Sequence, residues 1–255
     1  MILDAFRLDG RVALVTGAAR GLGQGIAVGL AEAGADVALL DRISTADSEA
    51  LIGALERRTL GIAADLRNLT QADAERLVSQ VTDGLGRIDI LVNNAGILQR
   101  APAIEYPGDA WDATIAINLS AAFFLSQAAA KAFVASGRGG KIINMASMLS
   151  FQGGAMVPAY TAAKSGIAGI THALANEWAK HGINVNAIAP GYMATEITAA
   201  LRDDPVRGPA MLGRIPAGRW GTPEDLQGAV VFLASDAAAY IHGTILPIDG
   251  GWLSW

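Results

Sequence analysis

The 255-residue chain contains no cysteine, which excludes disulfides, thiolate catalysis and cysteine-ligated zinc, and fits a reducing compartment. Charge is also scarce. Only 17% of the residues are Asp, Glu, Lys or Arg, and their balance of −5 offers no overall basic field for nucleic acid. The opening residues, MILDAFRLDGRV, lack a basic region followed by an apolar stretch and a small-residue cleavage site, so secretion is not expected. The most apolar helical stretch, roughly 119–135, carries Ser126, Gln127 and Lys131 and falls short of the ~20 residues that span a bilayer. These absences predict a cytoplasmic protein with a small-molecule substrate, no nucleic-acid or membrane partner and no metal site.

What is present is apolar and rich in glycine. At 52% hydrophobic residues the chain can bury a large core and leaves little room for disorder. Its 30 glycines exceed the roughly 18 that average usage would give, and they cluster where tight turns or close backbone approach would be needed. Short β-rich runs at about 12–16, 36–40, 61–64, 88–92, 141–147, 183–189 and 244–248 alternate with helical patterns near 21–33, 71–85, 109–136, 159–180 and 223–234. That alternation predicts parallel strands joined by helical crossovers: a doubly wound α/β sheet in one domain spanning 1–255. Continuous apolar strands agree, because such strands are buried on both faces. Residues 191–222, rich in Gly, Pro and Arg, interrupt the pattern. A connection of that length in a compact domain is usually functional, and it leaves a strand's carboxyl end, where ligands of α/β sheets bind. It is read as a substrate lid, against the alternative of a surface insertion without a role.

A nucleotide site is expected at the same edge. Thr16-Gly17-Ala18-Ala19-Arg20-Gly21-Leu22-Gly23 follows the first strand and opens a helix, where glycines let the backbone approach a pyrophosphate favoured by the helix N-terminus. Asp41 ends the second strand, placed to accept hydrogen bonds from both adenosine ribose hydroxyls and to repel a 2′-phosphate. NAD is therefore expected over NADP, although Arg20 and Arg42 are guanidinium groups able to grip a phosphate. Asp65, past the third strand, is a candidate acceptor for the adenine amino group or a cap of the next turn. Asn93-Asn94-Ala95-Gly96 follows the fourth strand, small and flexible enough to pass beside a cofactor or simply to turn.

The chemistry is sought in Tyr160 and Lys164, one helical turn apart and so on one face of a helix. A phenol with an ordinary pKa near ~10 is a poor acid–base group at neutral pH, and a neighbouring ammonium is expected to lower it. Ser147 ends the fifth strand, where its hydroxyl can hold a substrate oxygen while Tyr160 moves the proton; a cap is the competing role. Asn118 sits among apolar residues inside a predicted helix, and a buried amide needs partners. A water leading to Lys164 is one such partner, backbone groups another.

Thr16 to Gly23, the Asn-Asn-Ala-Gly segment, Asn118, Ser147, Tyr160, Lys164 and Pro190-Gly191 together resemble, in order and spacing, the short-chain dehydrogenase/reductase family over nearly the whole chain. The resemblance implies a seven-stranded Rossmann-type sheet, usually a homotetramer, and a catalytic set of Asn118, Ser147, Tyr160 and Lys164. It implies cofactor contacts at Gly17, Arg20, Gly21, Leu22, Gly23, Asp41, Asp65, Leu66, Asn93, Ala95, Gly96, Tyr160, Lys164, Ile188, Pro190, Gly191 and Thr195, with Lys164 on the nicotinamide ribose. Further segments, 146–154, 176–181, 189–195, 214–221 and 249–253, are similar to a branch acting on keto-deoxy sugar acids of the 2-deoxy-D-gluconate and 2-dehydro-3-deoxy-D-gluconate type, in uronate breakdown.

An acidic substrate suits Arg100, Arg202, Arg207, Arg214 and Arg219, all on segments expected to frame the pocket, since a guanidinium binds a carboxylate bidentately. Arg100 is the first choice, with Gln152, Ser147 and Tyr160 as the other substrate contacts; pairing of the lid arginines with Asp203, Asp204 or solvent is the alternative. Competing functions are reduction of another ketone, such as a 3-oxoacyl thioester or a cyclic polyol, and a nicotinamide-sensing or scaffold protein without catalysis. The last helix, the last strand and the Trp252–Trp255 tail are apolar enough for an oligomer interface, unless the tryptophans cover their own core.

Overall fold

Buried, β-branched-rich runs set the frame. In the computed structural model, which describes residues 1–254, β1 (Val12–Thr16), β4 (Ile90–Asn93), β5 (Gly140–Met145) and β6 (Ile183–Pro190) are buried from end to end. With β2 (Asp36–Asp41), β3 (Thr59–Ala63) and β7 (Ile245–Ile248) they form one seven-stranded sheet in the order β3-β2-β1-β4-β5-β6-β7. Every pairing is parallel. Strand order reverses between β1 and β4, which opens a crevice at their carboxyl ends.

Helices cover both faces. Leu77, Val78 and Val81 of α3 (Gln71–Leu85) share one core cluster with Leu125, Ala129 and Phe133 of α5 (Ala121–Ser136). On the other face Ile26 and Leu30 of α1 (Gly21–Glu32) join Leu226, Val230 and Leu233 of α9 (Glu224–Ala234). The signals that bound α3 are local: Thr70 and Asp73 form a capping box at its start, and Gly86 stops it in the left-handed conformation at φ 88°. α6 (Pro158–Trp178) starts on a proline, whose missing N–H costs nothing in the first turn.

Four expectations change. Helix α2 (Ala46–Gly53) lies where no helical pattern is expected; it is short and buries only Ser48 and Ile52, too little for a visible apolar stripe. The segment 191–222 is not wholly irregular but carries α7 (Glu196–Arg202) and α8 (Arg207–Leu212). The apolar stretch expected at 119–135 belongs to a continuous helical run, Gly108–Ser136, built from α4 (Gly108–Ile115), a π turn (Ala116–Ser120) and α5. Its 29 residues are long and apolar enough to cross a membrane by length and composition, but half of the apolar window is buried inside the protein, as in a core helix. Finally, Trp252 is 5% exposed and packs within its own chain, the alternative foreseen for it, while Trp255 lies outside the described residues.

Candidate active site

The nucleotide end is built from backbone. Gly17 and Gly21 adopt φ of +64° and +60°, open to glycine at no steric cost. A Cβ on Gly23 would lie 2.0 Å from the Gly17 carbonyl oxygen, and one on Gly17 would lie 2.9 Å from Ala95 Cα. No side chain fits between these strands of backbone. The Asn94 amide holds the turn, donating to the carbonyls of Thr16 (2.8 Å) and Gly17 (3.1 Å), while Thr16 Oγ1 accepts from the N–H groups of Asn94 and Ala95, both at 3.0 Å. Helix α1 then begins at Gly21 with neither a side-chain cap nor an acidic residue in its first turn, leaving its N–H groups and positive dipole end for an anion. Asp41 stands beside it: Oδ2 accepts from Ala19 N at 3.0 Å and Oδ1 from Ile43 N at 3.2 Å. The cradle fits a dinucleotide, with the pyrophosphate over Gly21, Leu22 and Gly23 and a ribose at Asp41.

Other expected nucleotide contacts divide. Asp65 caps the 3-10 turn Leu66–Asn68 by accepting from Arg67 N at 2.9 Å, the competing role foreseen for it, though its carboxylate stays exposed. The Leu66 side chain is buried in the core. Asn93 turns inward: its amide donates to Ser126 Oγ and Asn144 Oδ1, both at 2.9 Å, because successive strand residues face opposite sides and Asn94 takes the cofactor side. Asn144 in turn donates to Thr171 Oγ1 at 3.0 Å, so this buried chain ties β4 and β5 to α6. At the far wall Ile188 pairs with Met145, Pro190 with Ile248, and Gly191 N donates to the Ile248 carbonyl at 3.0 Å. A Cβ on Gly191 would lie 2.7 Å from Asp249 Cα. Thr195 caps α7 just beyond.

Ser147, Tyr160 and Lys164 meet where β5 ends and α6 begins, and Asn118 lies against the segment that follows β4. Ser147 is buried, accepts from Leu149 N at 3.1 Å and hydrogen-bonds the Tyr160 phenol. Lys164 is buried, donates to the Met145 carbonyl at 2.6 Å and stands 5.4 Å from the centre of the Tyr160 ring. Burial pushes the Tyr160 phenol up to about 12, with the Ser147 hydrogen bond pulling the other way. The same burial pushes Lys164 down to about 7. Desolvation is the largest cause at both residues, so the burial that raises the phenol also disfavours the charge of the ammonium expected to lower it.

Asn118 owes its place to the π turn. Ala121 N donates five residues back, to the Ala116 carbonyl, and the Asn118 side chain takes the Thr114 carbonyl at 2.9 Å as well as that of Ile97 at 3.0 Å. Its Oδ1 is buried without a hydrogen-bond partner. That atom lies 2.5 Å from where a Gly96 Cβ would be, which explains the glycine. An unpaired buried acceptor between β4 and α6 fits an ordered water.

The substrate side is apolar with a charged rim. Tyr160 packs in one cluster with Leu98, Met148, Leu149, Tyr192, Ile215 and Trp252, bringing together the 98–101 segment, the loop after Ser147, the lid and the chain's last turn. Ala101 N donates to the Met156 carbonyl at 3.0 Å, so the segments carrying Arg100 and Gln152 share a rim; Arg100 is exposed and Gln152 half-buried. The lid arginines differ. Arg219 is held bidentately by Asp225 at 2.6 and 2.7 Å, and the Arg214 guanidinium lies 4.1 Å over the Trp252 ring. Arg202 and Arg207 lie exposed on the 191–222 segment. Sequence reasoning missed the aromatic wall of Tyr192, Trp220 and Trp252, which meet edge to face, and the Met145 carbonyl that docks Lys164. Aromatic residues flanking the lid were the available signal for the first; a backbone carbonyl leaves none.

Residues 17–253 match a family model described as enoyl-(acyl carrier protein) reductase. The chain is 54% identical over 254 residues to the 2-dehydro-3-deoxy-D-gluconate 5-dehydrogenase of Escherichia coli K12, covering 100% of both. It is also 54% identical, again over 100% of both, to the protein of that name from Dickeya dadantii. A crystal structure from Agrobacterium tumefaciens, described as a 2-deoxy-D-gluconate 3-dehydrogenase with bound NADP, is similar at a TM-score of 0.92 and 53% identity, covering 99% of this chain and 100% of that one.

Proposed function

The chain belongs to the short-chain dehydrogenase/reductase family, and from that premise we propose that it interconverts the hydroxyl and ketone forms of a deoxy keto sugar acid of the 2-dehydro-3-deoxy-D-gluconate type, with NAD(H) as its hydride partner. The observation that carries the chemistry is the junction of Ser147, Tyr160 and Lys164 beside a cradle only glycine can line. The relatives' names support the substrate class.

A nicotinamide nucleotide held by the Gly17–Gly23 turn and Asp41 would supply the hydride donor or acceptor. Ser147 holds the substrate oxygen. Tyr160, resting as the phenol, donates the proton when a ketone is reduced and receives it when an alcohol is oxidised. Lys164, docked on the Met145 carbonyl, is the group whose protonation favours the phenolate needed for oxidation. Asn118 holds the inner end of a water path through its unpaired Oδ1.

NAD is favoured because both Asp41 oxygens are fixed by backbone N–H groups at the end of β2, where a 2′-phosphate would meet a carboxylate. The Agrobacterium relative holds NADP, so the decisive experiment pairs both cofactors with keto-deoxy sugar acids, 3-oxoacyl thioesters and cyclic polyols. The reading expects the highest kcat/KM with a sugar acid and NAD(H); a thioester or polyol winning would overturn it. We assign the substrate carboxylate to Arg100, with 191–222 as the lid. Arg100→Ala should raise KM for the sugar acid several-fold, and unchanged turnover at low substrate concentration would remove that assignment. The proposed working form is a cytoplasmic homotetramer, and equilibrium sedimentation showing only monomer would reject it.

A further inference from the structure

Arg20 and Glu196 meet across the mouth of the nucleotide site. Arg20 is the residue immediately before α1, and its Nη1 lies 2.5 Å from Oε2 of Glu196, the first residue of α7 in the lid. One position upstream, the Ala19 N–H touches the Asp41 carboxylate at 3.0 Å. Arg20 therefore springs from the turn that borders the ribose position. Arg42, which follows Asp41 in the chain, is exposed.

A 2′-phosphate carries nearly two negative charges and binds best to a guanidinium that presents two N–H groups to it. Here the Arg20 guanidinium is engaged by a carboxylate from a distant segment. We propose that Glu196 is a selectivity residue for the dinucleotide: by holding Arg20 it withholds the cation a 2′-phosphate needs. The proposal rests on the reading of the chain as a nicotinamide-dinucleotide enzyme and is independent of which substrate it acts on. Because both side chains are largely exposed, at 61% and 71%, the pair contributes little to stability, and replacing it should leave the fold intact.

The test measures binding directly, by quenching of tryptophan fluorescence or by calorimetry, with NAD⁺ and NADP⁺ titrated into the full-length protein, Glu196→Gln, Arg20→Gln, the double variant and Glu196→Gln with Arg42→Gln. The expected result is that Glu196→Gln tightens NADP⁺ by about three- to tenfold, more than it changes NAD⁺. That gain should vanish in the Arg20→Gln background, persist in the Arg42→Gln background and shrink as salt is raised. An equal change for both dinucleotides would make the pair a lid latch without selectivity and overturn the proposal. So would no change for NADP⁺, or a gain that survives loss of Arg20. If the wild-type protein bound neither dinucleotide, the cofactor reading itself would fall, and this proposal with it; failure of the sugar-acid panel alone would leave it standing.

Discussion

The two ends of the site are made from different materials. At the nucleotide end the working surface is backbone: glycines at 17, 21 and 23, a helix start without a cap, and a turn held by Asn94 and Thr16. At the chemical end it is side chains whose behaviour depends on burial, with Tyr160 and Lys164 moved in opposite directions by the same loss of water. The first kind of site tolerates almost no added atom. The second tolerates shape changes but not a change in proton inventory. Binding and chemistry should therefore separate under mutation.

Tyr160→Phe should have the largest effect, lowering turnover by about 10²- to 10⁴-fold while dinucleotide affinity measured by fluorescence stays near wild type. Loss of both together would show that the two ends are not separable. Gly23→Ala sets a methyl group against the Gly17 carbonyl, a backbone atom that cannot step aside. Dinucleotide affinity should fall by more than tenfold, and urea unfolding should show a loss of about 1–3 kcal/mol, typical of overpacking. A variant that bound normally would mean the cradle is looser than its contacts imply. A third prediction is a pH dependence. Lys164 has a folded pKa of about 7, below its unfolded value, so the cost of burying its charge is full below about pH 7 and fades as the unfolded lysine deprotonates. The stability of the wild type relative to Lys164→Met should rise from about pH 7 towards pH 10.5; a flat difference would show that Lys164 stays protonated in its pocket.

Much of the frame was legible because buried parallel strands write themselves as continuous apolar runs, and β1 and α3 fall at their expected bounds. The nearness of Ser147, Tyr160 and Lys164 was legible through order and spacing. Three things were not. Alternation along β4 requires Asn93 and Asn94 to face opposite ways but does not say which faces the cofactor. The π turn has the composition of ordinary helix, so only coordinates reveal its longer hydrogen bond. The pKa order of Tyr160 and Lys164 depends on burial, which a helical spacing of four residues does not encode. For the arginines, spacing could not show partners, and it took the Asp225 pairing to show that Arg219 is already engaged.

The π turn at Ala116–Ser120 also constrains how this chain can change. Each residue of an α-helix advances the side-chain direction by about 100°. The wide turn holds one residue more than a regular turn and carries the Asn118 amide onto the Thr114 and Ile97 carbonyls. Deleting one residue there would return the run to regular helix with Leu125, Ala129 and Phe133 still in phase with the core they share with α3, but it would turn Asn118 off those carbonyls. The fold can thus lose the wide turn and keep its interface; what goes is the aim of a single amide.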